Sequence, residues 1–112
     1  GSGFYAPTLV NLATPPTIPG GDGFIGPDLG TDPSLKSAYT IAVTGGAAAA
    51  SAPASCNGAS AGTLASTYFA GAVPSNTGFR FFGTNQAGVI YQARVAVAVT
   101  QSGAPDGALP IQ

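Results

Sequence analysis

Residues 78–91, GFRFFGTNQAGVIY, set two runs rich in aromatic and β-branched side chains around a polar turn. An antiparallel hairpin is the arrangement that satisfies such a pattern within so few residues. Strands are expected over 79–82 and 89–92, joined through Thr84-Asn85-Gln86-Ala87-Gly88, whose residue types set or tolerate turn dihedrals. Phe79 and Phe81 would then face one side, and Arg80 and Phe82 the other.

Three further segments carry period-two alternation. In 37–44, SAYTIAVT, Tyr39, Ile41 and Val43 fall on one face and Ala38, Thr40 and Ala42 on the other. Residues 67–73 predict a strand that meets 79–82 through the turn Pro74-Ser75-Asn76-Thr77-Gly78. In 94–100, RVAVAVT, strict alternation predicts Val95, Val97 and Val99 facing a core while Ala96 and Ala98 face outward or a thin cover. Consecutive strands on short turns imply an α+β, mostly β domain, built on an antiparallel meander of four to five strands.

The chain has 112 residues and forms a single domain over 1–112; outside the expected strands it is loop and punctuation. Gly1-Ser2 reads as an expression-tag scar, and 8–13 as a helical turn or two at the end of a longer element. In 14–35, Pro15, Pro16, Pro19, Pro27 and Pro33 alternate with glycines, which forbids regular helix or central strand. Phe24, Ile25 and Leu29 are expected to pin that loop to the body. Residues 45–66 read as a small-residue exposed connection and 101–112 as a polar tail.

Composition removes whole classes of function. Three cations, Lys36, Arg80 and Arg94, cannot form the clustered basic surface that phosphate neutralisation needs, so nucleic acid is not an expected partner. With no His, and with Asp22, Asp28, Asp32 and Asp106 as its four acids, the chain lacks the usual proton carriers of an enzyme. So little charge is unlike a freely diffusing cytosolic protein and suits one held in an assembly or exported. One cysteine excludes an intrachain disulfide, and no stretch has the run of apolar residues a membrane span requires.

The motif-like constellations each have a plainer reading. Residues 21–26 match GxGxxG, but a dinucleotide site needs a strand before it and a helix after, and here Pro19 and Pro27 flank it. Asp22, Asp28 and Asp32 share one loop and offer oxygen ligands for calcium, although without EF-hand spacing; solvated turn and capping aspartates are the bland alternative. Ser34 and Lys36 are a conceivable Ser-Lys pair, and Cys56 has no neighbouring base to activate it. The rings of Tyr68, Phe69, Phe79, Phe81, Phe82 and Tyr91 are expected to be core or subunit interface rather than a ligand-stacking surface. No catalytic residue and no cofactor follow from this inventory.

Three segments taken in order resemble the globular headpiece of bacterial type IV pilin-like proteins, the family made with a prepilin-type N-terminal segment. FYAPTLVNL over 4–12 is similar to the end of the long pilin helix and the loop after it. DPSLKSAYTI over 32–41 is similar to the entry into the family's first strand, with Ala38 where glycine is commoner. The segment 78–91 resembles the family's strand, turn and strand, with Asn85 where aspartate is usual, and 108–112 resembles its Pro-Leu-Gln ending. Tyr39, Phe79, Phe81, Phe82, Gly88, Val89 and Ile90 are the residues of that structural signature.

The resemblance implies a non-enzymatic structural subunit of a surface filament, assembling with other copies through an N-terminal hydrophobic helix that precedes Gly3. It implies membrane contact through that helix alone, in the inner membrane or periplasm before assembly and at the cell surface after it. A pseudopilin of a type II secretion system shares the expected fold. A secreted β-sandwich that binds a ligand or mediates adhesion is the alternative from another class, and it requires two sheets and a pocket.

Overall fold

The structure, a computed structural model, describes residues 3–97, 100 and 103–111. Six strands follow the chain: β1 (Ser34–Lys36), β2 (Tyr39–Gly45), β3 (Tyr68–Pro74), β4 (Phe81–Asn85), β5 (Ile90–Ala93) and β6 (Leu109–Pro110). Each pairs antiparallel with the next, so the fold is one meandering sheet in the order β1-β2-β3-β4-β5-β6. One short helix, α1 (Leu9–Ala13), and a single 3-10 turn, Pro27–Leu29, complete the regular structure.

The helix owes its start to side chains. Thr8 caps it by accepting a hydrogen bond from the Asn11 N–H at 3.2 Å, and the Asp32 carboxylate accepts one from the Leu9 N–H at 2.8 Å. These contacts tie α1 to the Pro/Gly loop. Within that loop Phe24 is 67% exposed, so it does not serve as the expected apolar pin. Backbone bonds from the Phe24 and Ile25 N–H groups to the Leu12 carbonyl do that work instead, with Ile25 and Leu29 half-buried.

The strand count exceeds the expected four to five because β1 and β6, of three and two residues, form only against their neighbours. Pieces so short carry no periodicity of their own. Strand β2 begins at Tyr39, since Ser37 and Ala38 form the β1–β2 turn at φ 53° and 64°; Ala38 therefore has no place on a strand face. The expected strand at 94–100 is replaced, as far as it is described, by a bend at Arg94 and Val95 and irregular backbone through Val97. Val95 is 67% exposed rather than in the core. Ala98 and Val99 lie outside the described residues. The chain leaves the sheet after Ala93 because β6, not 94–100, takes the edge beside β5.

Cross-strand partners share a face, which sorts the sheet into two sides. Face A carries Ile41 and Val43, Ala70 and Ala72, Phe82 and Thr84, and Ile90 and Gln92. Face B carries Thr40, Ala42 and Thr44, Phe69, Gly71 and Val73, Phe81, Gly83 and Asn85, and Tyr91 and Ala93. The buried residues of β3, β4 and β5 are Phe69, Gly83, Asn85 and Tyr91, all on face B. Val97, Thr100 and Gly103 lie against that face: a Cβ on Gly83 would lie 3.1 Å from Val97 Cγ1, and Asn85 bonds to the Thr100 and Gly103 carbonyls.

Residues 45–66 are less exposed than their composition suggests. Ala65 bridges both Tyr5 and Ala48, and Ala52 and Ala65 are buried. Alanine makes such close passage possible, since a larger side chain would push these backbones apart.

Candidate interaction surface

On face A no side chain of β2 to β5 is buried, whereas face B is covered over β3 to β5 and keeps an apolar hollow beside that cover, lined by Ala42, Gly71, Val73, Phe81 and Val97. The apolar side chains of face A, Ile41, Val43, Ala70, Ala72 and Phe82, are only half-buried, and Ile90 is 47% exposed. Ile41, Ala70, Ala72, Phe82, Thr84 and Ile90 line a shallow, almost wholly apolar trough across β2 to β5. Small residues in its floor and large ones at its sides leave room for one element to lie along it. An exposed sheet face of this kind is expected to bury itself against a second layer.

The N-terminal segment reaches one rim of this face. Tyr5 pairs with Ala65 in both directions, at 2.7 and 2.9 Å, and its ring lies 5.0 Å from that of Tyr68. Pro7 sits so close to Gly45 that a Cβ there would lie 2.6 Å from Pro7 Cβ. Tyr68 and Gly45 are paired on face A, so residues 5–7 cross the end of that face.

The signature residues distribute across both faces. Tyr39 and Phe82 pack on face A with ring centroids 6.0 Å apart, and the Tyr39 hydroxyl donates to the Arg80 carbonyl at 3.0 Å. Phe81 is half-buried on face B. Phe79, expected within a strand, lies in the β3–β4 turn and is 57% exposed, because pairing begins only at Phe81. Of the six rings expected in a core or interface, Phe69 and Tyr91 are buried. Gly88 adopts φ 83° and donates to the Asn85 carbonyl, closing the β4–β5 turn, with Val89 and Ile90 exposed beyond it.

Asn85 is the residue whose importance composition did not signal. It is fully buried; its Oδ1 accepts from the Ala87 N–H at 3.1 Å while Nδ2 donates to the carbonyls of Thr100 and Gly103. An aspartate there would lack those two donors. The amide thus fastens the turn to the segment covering face B.

The aspartates of the loop are dispersed. Asp28 pairs with Lys36, Asp32 caps α1, and Asp22 is exposed; no cluster of three metal-ligating side chains forms among the described residues. The calcium reading therefore loses its geometry. The hydrogen bond from the Lys36 ammonium is the main reason that the Asp28 carboxyl sits below its ordinary value of 3.8. Ser34, buried, donates to the Thr31 carbonyl, so Ser34 and Lys36 are each engaged elsewhere rather than with each other. Residues 21–26 run without the flanking strand and helix of a dinucleotide site, and Cys56 is exposed.

No family model matches the chain, and neither the curated proteins nor the solved structures give a match. No described helix is long and apolar enough to cross a membrane.

Proposed function

We propose that this chain is the globular headpiece of a type IV pilin-like subunit, a non-enzymatic structural protein of a bacterial surface filament. The observation that carries the proposal is face A: an apolar sheet face without a second layer, with residues 5–7 crossing its end. In this reading the absent layer is an apolar helix continuous with the N-terminus. A seven-residue strand such as β2 is about 23 Å long, which about 15 helical residues match. The remainder of a longer helix then anchors the subunit in the inner membrane before assembly and packs with other helices in the filament afterwards.

The sparse charge fits a subunit that spends its working life in an assembly. A β-sandwich receptor fits less well, because the strands form one sheet among the described residues. Imaging a strain that lacks the gene tests the proposal. Loss of surface filaments with protein secretion intact is the expected outcome; intact filaments with lost secretion point to the pseudopilin machine instead, and no change in either overturns the reading.

A further inference from the structure

The antiparallel register gathers the three cations at one end of the sheet. Lys36 closes β1 opposite Tyr39, Tyr39 pairs with Pro74, and Phe81 pairs with Ala93, so Arg80 and Arg94 stand one residue beyond that pair, just outside the ends of β4 and β5. Lys36 is engaged by Asp28. Neither arginine forms an ion pair among the described residues, and Arg80 donates only to the neutral Gln92 side chain, at 2.7 Å. Asp106, adjoining the same region through Gly107, pairs with neither. Two cations that line one hollow, with no ion pair among the described residues, offer charge-assisted hydrogen bonds to an incoming carboxylate.

Apolar side chains frame the arginines. Arg80 and Arg94 line one hollow with Val95 and Leu109, which are 67% and 69% exposed, and Phe79 lines a second hollow on the other side of Arg94. Arginine beside an exposed aromatic ring, here Arg94 with Phe79 at 57% exposure, matches the enrichment of those residue types at interface centres.

The same chain carries a surface of matching character. In the Pro/Gly loop, Asp22 is exposed, with no ion-pair partner among the described residues, and stands between Ile18 and Phe24, both 67% exposed. This loop is held to α1 and adjoins the β1 edge through the turn Pro27–Leu29. The arginines lie at β4 and β5, on the order of 15–20 Å of sheet away.

We infer that the loop centred on Asp22 of one copy docks into the Arg80–Arg94 hollow of the next. The occupant is a second copy because the chain itself supplies the complementary charge and the flanking apolar groups. Two different surfaces meet in such a contact, so it does not close on itself as a two-fold dimer does, and repeated copies extend it into a row. The inference rests on the filament reading for its biological setting, but the contact belongs to the headpiece and is measurable without filaments.

Isotope-labelled chain, titrated with unlabelled chain to about 1 mM and followed by backbone amide shifts, tests it. Concentration-dependent shifts confined to residues 18–24, 79–80, 94–95 and 107–109, and weakened by salt, are expected. Arg94→Asp and Asp22→Arg should each weaken association about tenfold, and the double exchange should restore it. Neither residue makes a side-chain bond within the described chain, and Arg94→Gln provides a milder control. Absent association, shifts that map elsewhere, or a double exchange that does not restore it each overturn the contact. Association in this pattern beside unchanged filaments in the deletion strain keeps the contact and removes the filament reading; the converse removes only the contact.

Discussion

At Ala38 the chain holds a left-handed conformation, φ 64°, with a side chain that resists it. Glycine meets no Cβ penalty there, so Ala38→Gly should stabilise the fold by about 1 kcal/mol, read as a higher denaturant midpoint with unchanged slope. Asn85 works in the opposite sense. Asn85→Asp puts a carboxylate against the Thr100 and Gly103 carbonyls in a fully buried site, and a loss of about 2–4 kcal/mol is expected in thermal or urea unfolding. The Asp28–Lys36 pair matters less, because both side chains are about half exposed, at 53% and 47%. Asp28 has its folded value lowered by Lys36, so its contribution is present above the ordinary value of 3.8 and is lost as pH falls through the depressed one. Asp28→Asn should therefore leave unfolding at pH 7 nearly unchanged and remove a small part of the wild-type loss of stability below about pH 4.

Strands β2 to β5 were legible in the sequence because alternation and turn chemistry coincide there, as they do from Phe81 through Gly88 to Ile90. The segment 94–97 was not, because RVAV has the same alternation whether it pairs or crosses a face; tertiary competition for the β5 edge decides, and β6 wins it. The packing of Val97 on face B has an energetic signature at Gly83. A Cβ there would lie 2.7 Å from Phe69 Cζ and 3.1 Å from Val97 Cγ1, so Gly83→Ala should cost about 1–3 kcal/mol by displacing the buried Phe69 ring and, with it, Val97. Face A should behave differently. Ala72→Asp, at the trough, should change stability of the isolated chain by no more than about 1 kcal/mol, while removing the subunit from assembled filaments. Equal loss of folding at both positions would contradict the division of the sheet into a covered and an uncovered face.

For the whole molecule the relevant fact is how little of it is interior. Beyond Phe69 and Tyr91, the large side chains of the sheet are half-buried or exposed. Alternation in the strands was visible beforehand, but which face is covered depends on where Val97, Thr100, Gly103 and residues 3–7 lie, and no sequence pattern announces that. On the proposed filament reading, the open apolar side of the sheet meets a layer supplied from the chain's own N-terminal side. The decisive measurement is a high-resolution image reconstruction of filaments sheared from cells that make this protein. The six-stranded sheet should surround a helical core, with Ile41, Ala72 and Phe82 turned inward onto a helix that ends before the extended residues 5–7. Filaments that lack this chain, or contain it with face A turned to solvent, would contradict that arrangement.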